Sequence, residues 1–248
     1  MKNPTAAMLV IGDEILSGRT RDANMHYLAG RLTRHGIDLQ EVRIVADCHD
    51  DIIAAVNELR ARNDHLFTCG GIGPTHDDIT ADAVAAAFGV SIDIREDALQ
   101  LIAERCQEYG QELNDDRRRM ARIPDDAELI LNPVSSAPGF SIGNIHVMAG
   151  VPKIFSSMLD GLLTRIPGGV PLASATIEIA APEGEIAAKL GELARRLPDL
   201  QVGSYPFRKH KRYGVNVVLR GYDVREVKRA ENHLRQVFAT KLASDGQG

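Results

Sequence analysis

The chain has 248 residues, 44% hydrophobic and 25% charged, with a formal net charge of −5. That length suits one large domain or two ordinary ones with a real core. The acidic balance argues against general electrostatic attraction to nucleic acid or to an anionic membrane, so neither is an expected partner.

The first apolar run, Ala6–Ile11 (AAMLVI), is too short for a signal h-region or a membrane span. It reads as a buried strand closed by Gly12, and the expected location is cytoplasmic. Three odd, widely spaced cysteines, Cys48, Cys69 and Cys106, have neither zinc-knuckle nor CxxC spacing. They predict a reduced compartment and buried thiols. Asp22–His35 has Ala23, Tyr27, Leu28 and Leu32 near helical spacing, with Gly36 as its stop. Val42, Ile44 and Ala46 alternate within a strand over 37–46, and Ile52, Ile53, Val56 and Leu59 mark a helix over 50–62. Leu66–Cys69 is a third strand ending in Gly70-Gly71. Helices follow over 80–88 and 97–109, each stopped by glycine. A late strand over 145–149 leads through Gly150-Val151-Pro152 into a helix reaching about Leu163.

Alternating strands and helices with short connections predict right-handed crossovers and a mainly parallel sheet covered on both faces. In such a sheet ligands bind beyond the carboxyl ends of the strands, where Gly12, Gly70–Gly73 and Gly150 fall. The segment Pro167–Pro171 punctuates the chain. Beyond it the predicted order is strand 175–181, helix 183–196, strand 200–205, strand 214–220 and helix 224–242. This predicts an α/β domain over 1–168 and a smaller α+β domain over 172–243, with a frayed tail over 244–248.

The most chemical segment is Cys69–Thr80 (CGGIGPTHDDIT), between a strand and a helix. Its glycines allow a tight turn that brings N–H groups to a ligand, and a helix N-terminus favours phosphate. It is neither a Walker loop nor a GxGxxG fingerprint. Asp77 and Asp78 would repel a phosphate unless a hard cation such as magnesium stood between them. The alternative is that one of them caps the helix. Gly12-Asp13-Glu14 sets another pair of carboxylates at a strand end, able to add metal oxygens or position water, or to form a turn and cap. Arg117–Arg119 reads as a solvated helix face and Arg208–Arg212 as a solvated hairpin. Among eight histidines, His76 in the key loop is the one to test.

Taken in order, Gly12–Gly18, Asn24, Asp47, Cys69–Thr80, Ala121–Pro124, Asn132-Pro133, Ala137–Gly139 and Gly150–Pro152 resemble the molybdopterin-binding domain. That domain is shared by molybdenum-cofactor biosynthesis proteins of the MoaB/Mog type and by the amino-terminal part of the competence/damage-inducible protein A (CinA) family. The resemblance covers roughly residues 6–165. The region around Gly203–Pro206 is similar to the small domain that follows in the latter family. The resemblance implies a three-layer α/β fold with a strand-end pocket. The ligand would be molybdopterin, a related phosphorylated pterin, or a nucleotide.

It also implies roles for individual residues. Asp13 and Asp78 are the expected catalytic carboxylates, and together with Asp77 the expected holders of magnesium, manganese or cobalt. The expected ligand-binding residues are Gly12, Glu14, Asn24, Gly70, Gly71, Gly73, Pro74, Thr75, Thr80, Asn132, Pro138 and Gly139. The activity implied is hydrolysis of an ADP-ribose-like pyrophosphate. The alternatives are adenylyl transfer in cofactor assembly or binding without turnover, and a homo-oligomer is expected. Two departures stand out: Ser135 where the family commonly has Gly, and Lys153-Ile154-Phe155 where an acidic residue often follows.

Overall fold

The computed structural model describes residues 3–209 and 212–242. Positions 210 and 211 of the basic run and the tail over 244–248 lie outside the described residues. The chain divides into two units, Met1–Val170 and Pro171–Gly248.

In the first unit the elements run β1 (Thr5–Ile11), α1 (Asp13–Leu16), α2 (Asn24–His35), β2 (Asp38–Val45), α3 (His49–Arg62), β3 (His65–Cys69), α4 (Thr80–Phe88), β4 (Ile92–Ile94) and α5 (Glu96–Glu108). They continue with α6 (Asp115–Arg119), β5 (Arg122–Pro124), β6 (Glu128–Ile130), β7 (Gly139–Ile142), β8 (Ile145–Met148) and α7 (Pro152–Leu163). Six strands form one sheet in the order β2-β1-β3-β8-β7-β6. The pairs β1–β2, β1–β3 and β3–β8 are parallel, while β8–β7 and β7–β6 are antiparallel. The sheet is therefore mainly parallel, and β4 pairs separately with β5.

Strand β1 shows why an unbroken apolar run is required. Its odd positions Ala7, Leu9 and Ile11 pack with Ile52, Val56 and Leu59 of α3, Val84 of α4 and Ile102 of α5. Its even positions Ala6, Met8 and Val10 pack with Leu28 and Leu32 of α2 and with Phe155, Met158 and Leu159 of α7. A strand covered on both faces favours apolar side chains at successive positions, as over Ala6–Ile11. Each fully buried Leu or Phe contributes roughly 1.5–3 kcal/mol, so the three layers hold one another together.

The ends of this unit are tied. Asn3 donates from Nδ2 to the Val170 carbonyl (3.0 Å) and accepts the Val170 N–H at Oδ1 (2.9 Å).

The second unit holds β9 (Ala173–Ile179), α8 (Glu183–Arg196), β10 (Gln201–Lys209), β11 (Arg212–Gly221) and α9 (Val224–Val237), then a 3-10 turn over Ala239–Lys241. Its antiparallel sheet runs β10-β11-β9. Ile177, Ile179, Val215, Val217 and Leu219 cover a core shared with Ile186 and Leu190 of α8 and Val227 and Leu234 of α9. The last helix is shorter than the apolar pattern to residue 242 suggests, because Phe238 and Leu242 continue the apolar face from a turn.

Two further differences have simple causes. The region over 110–144 holds α6 and strands of three or four residues, too short to show a period. Of the cysteines, Cys69 and Cys106 are buried but Cys48 is exposed, because it sits at the loop position before α3 rather than on a core face. Among the described residues, no helix is long and apolar enough to cross a membrane.

Candidate functional site

Because β1, β3 and β8 are parallel, their carboxyl ends share one edge. There a cleft of about 500 Å³ opens, lined by Gly12, Glu14, Asp47, Gly70–Gly73, Pro74, Asp77 and Asp78 on one side and by Asn132, Ser135 and Gly150–Pro152 on the other. Ile11, Ile72, Met120 and Ile154 add apolar wall.

The glycine loop is built by two close approaches. Gly70 has φ +103 and Gly71 φ +67. A Cβ at Gly70 would collide with the Ile11 carbonyl, and one at Gly71 with Thr80 Oγ1. Side chains are therefore excluded both by conformation and by space. The Gly70 N–H bonds Met148 O (3.2 Å), and the Gly71 carbonyl accepts from the Thr80 N–H (2.9 Å). Among the described residues, no acceptor takes the N–H of Gly71, Ile72 or Gly73. These are donors available to a ligand.

Asp78 does not cap α4, whose N-cap position is Ile79 with no side-chain bond. Its Oδ2 accepts from the Thr75 N–H (2.8 Å) and from Thr75 Oγ1, which closes the loop on itself. Arg119 Nη2 donates to the Asp78 carbonyl (3.2 Å). One member of the arginine run thus fastens the loop from outside.

Asp47 stands at the end of β2. Its Oδ2 accepts the Asp13 N–H at 3.0 Å. Burial pushes its carboxyl above the usual range, and the facing Asp13, Glu14 and Asp77 push the same way against that hydrogen bond. The cleft thus gathers Glu14, Asp47, Asp77 and Asp78. Even so, among the described residues no three His, Cys, Asp or Glu side chains converge closely enough to hold a metal by themselves. Part of the Asp78 carboxylate is already taken by Thr75.

The other expected residues fall around this cleft in distinct places. Asp13 and Thr75 lie at its margin, outside the lining, as does exposed His76. Asn24 is buried, and its Nδ2 holds the Gly150 carbonyl at 2.7 Å, bracing the Gly150 turn from below. Thr80 is fully buried behind Gly71, its hydroxyl without a partner among the described residues. Asn132 organises its own turn, donating to Ser135 Oγ (2.6 Å) and Ala137 O (2.9 Å) and accepting from the Val134 and Ser135 N–H groups. Positive φ occurs at Ser136, not Ser135. Pro138 borders a small neighbouring cavity with Arg119 and Arg122, and Gly139 is buried against the Val147 carbonyl.

Thr20 and Met120 line the cleft without having been singled out from the sequence, Ile154 entered there only as part of a departure from the family pattern, and Asp47 had no binding role. Asp47 follows its strand as Asp13 follows β1, so the strand-end argument applied to β2 would have found it. Met120 offers only an ordinary apolar side chain, with no sequence signal to mark it.

Residues 7–168 match the family model described as "Probable molybdopterin binding domain", and residues 171–246 match "FAD synthase, middle domain". A CinA-like protein of Anaeromyxobacter dehalogenans is 35% identical over 184 residues, spanning 71% of this chain but 45% of the relative. A protein of Aeropyrum pernix is 33% identical over 214 residues, covering 83% of this chain and 80% of its own length. Among solved structures, the protein CinA from Thermoplasma acidophilum, described as of unknown function, superposes with TM-score 0.61 at 34% identity. It covers 66% of this chain and 99% of that one. The chain spans less than half the length of the CinA-like relatives it matches.

Proposed function

The chain belongs to the molybdopterin-binding domain family, as a CinA-like member, and on that premise we propose that its carboxyl-edge cleft binds a phosphorylated pterin or nucleotide. The observation that carries this is the run of Gly71, Ile72 and Gly73 amides, without an acceptor among the described residues, at the rim of the roughly 500 Å³ cleft. Such amides bind phosphoryl oxygens without bringing a side chain into the way. The Ile72, Met120 and Ile154 surfaces suit the face of a planar ring, and the Ser135 hydroxyl, held in place by Asn132, suits its polar edge.

A finer reading within the same site is cleavage of a phosphoanhydride such as that of ADP-ribose. It is favoured by Asp47, which is drawn out of water among other carboxylates beside the amide loop. Fixed amides would stabilise charge developing on the phosphorus oxygens, and Asp47 with Asp13 and Glu14 would orient the attacking water. Magnesium, manganese or cobalt, if bound together with the ligand, would supply counter-charge. Among the described residues the carboxylates do not form a cage for it unaided, so its remaining ligands would come from the phosphoryl oxygens.

The experiment is calorimetric binding of ADP-ribose, NAD, FAD and molybdopterin to the full chain, with turnover followed under magnesium, manganese, cobalt or chelator. Saturable binding of at least one is expected. Binding without turnover supports a cofactor-holding module, and turnover abolished by chelator supports the hydrolase. Absence of binding for all four would overturn the reading.

A further inference from the structure

A second cleft, of about 260 Å³, lies on the α7 side at the opposite edge of the sheet. It is lined by Asp126, Glu128, Ser141, His146, Leu162 and Arg165. Ser141 and His146 of its lining belong to a line of three polar side chains that continues inward to His65. Ser141 Oγ lies 2.9 Å from His146 Nδ1, and His146 Nε2 lies 3.2 Å from His65 Nδ1. The His146 ring packs 5.0 Å from Phe67 and is only 6% exposed, in a core face otherwise made of groups such as Ile130, Met148 and Leu162. An aliphatic residue at 146 would fill this place without the cost of stripping water from an imidazole. Both ring nitrogens of His146 are satisfied inside the protein, by Ser141 and His65, and it is the remaining hydrogen-bonding capacity of Ser141 that opens on the cleft.

The chemistry of the line follows from counting donors. A neutral imidazole has one N–H and one lone pair, and a serine hydroxyl has one donor and two acceptor sites. The line therefore runs in either direction. Ser141 either donates to His146 and turns its lone pairs to the cleft, or accepts and turns its O–H there. The hydroxyl can thus meet a donor or an acceptor. His146 brings no charge, since burial first, then His65 and Arg165, push its imidazole down to about 3.

Charge enters from the walls. Arg165 reaches only the Leu129 carbonyl, at 3.3 and 3.4 Å, near the weak limit of a hydrogen bond. Among the described residues it has no ion-pair partner, and neither has Asp126 or Glu128. Asp126 holds φ +62, uncommon for a residue other than glycine. A simple anion would meet two carboxylates here, and a simple cation would meet the guanidinium. A molecule carrying both signs satisfies both walls. The volume lies below the roughly 300–1,000 Å³ typical of drug-sized ligands, which favours an amino acid over a nucleotide.

We propose that this amino-edge cleft binds a small zwitterion of amino-acid size. Its carboxylate lies on the Arg165 fork, its ammonium group between Asp126 and Glu128, and a polar atom against Ser141. The test uses the full chain with glycine, serine and glutamate as probes, and acetate, methylamine and inorganic phosphate as controls. Binding is read from the imidazole resonances of His146 and His65 by NMR. At least one amino acid should shift these resonances saturably, while acetate and methylamine separately do not. Arg165→Gln and Glu128→Gln, at exposed positions, should leave the melting temperature unchanged and weaken binding by roughly 10- to 100-fold, the range for one hydrogen bond to a charged group. Acetate or phosphate binding as well as the amino acids, binding unchanged in Arg165→Gln, or no response to any amino acid would each overturn the proposal. Nucleotide binding at the carboxyl edge is measured alongside and does not depend on it.

Discussion

The Asp78 carboxylate accepts twice from Thr75, so a substitution there tests loop closure and chemistry together. Asp78→Asn keeps one acceptor oxygen and removes the charge. If the carboxylate acts on a phosphoanhydride, turnover should fall by roughly 10²–10³, the usual loss for one electrostatic contributor, with little change in melting. Thr75→Val breaks the hydroxyl bond and leaves the charge. Equal losses in the two variants would assign Asp78 to loop closure alone.

His146 makes a pH prediction of definite sign. Its imidazole titrates at about 3 in the fold against an ordinary 6.5, so the unfolded chain binds the proton first. The stability it contributes is complete above about pH 6.5 and declines as pH falls toward 3. Urea midpoints across that range should slope less in His146→Gln than in the parent, and parallel slopes would refute the assignment. Thiol labelling offers a third check. Exposed Cys48 should react rapidly and Cys69 only on unfolding, since burial pushes its thiol up to about 12.

Among the elements, β1, β3 and β8 were legible because each is a buried run leading into glycine, and the helices around them because they are long enough to show a period. Their succession located the carboxyl edge, and with it the glycine loop. The strands β5, β6 and β7 have three or four residues, too few for an alternation to stand out; β5 is held by the earlier β4, while β6, β7 and β8 follow one another antiparallel. Gly139 illustrates the cost. In the sequence it belongs with the ligand-binding motifs, whereas the fold presses it against the Val147 carbonyl and the Met158 methyl group at the start of β7. Gly139→Ala should destabilise the first unit by about 1–3 kcal/mol, as overpacking does. Ligand affinity of the folded fraction should be unchanged. Wild-type melting of this variant would show that β7 can shift to make room.

On the scale of the whole molecule, the two cores share no residues, and the division at Val170 falls within the punctuating segment Pro167–Pro171. A fragment ending at Val170 is therefore expected to melt cooperatively and to keep the nucleotide affinity of the full chain. Leu219→Ala, in the second core, should cost about 2–5 kcal/mol there and leave that affinity intact. Loss of cooperative melting in the fragment would show that the first unit leans on the second.

The mutual grip of Asn3 and Val170 gives the first unit an entrance and an exit side by side. Such a body behaves as a cassette. It can be spliced into a surface loop of a host protein without stretching either, or its old ends can be joined by a short peptide and new ones opened at an exposed turn. A lineage that assembles longer proteins from interchangeable pieces would find this one easy to move.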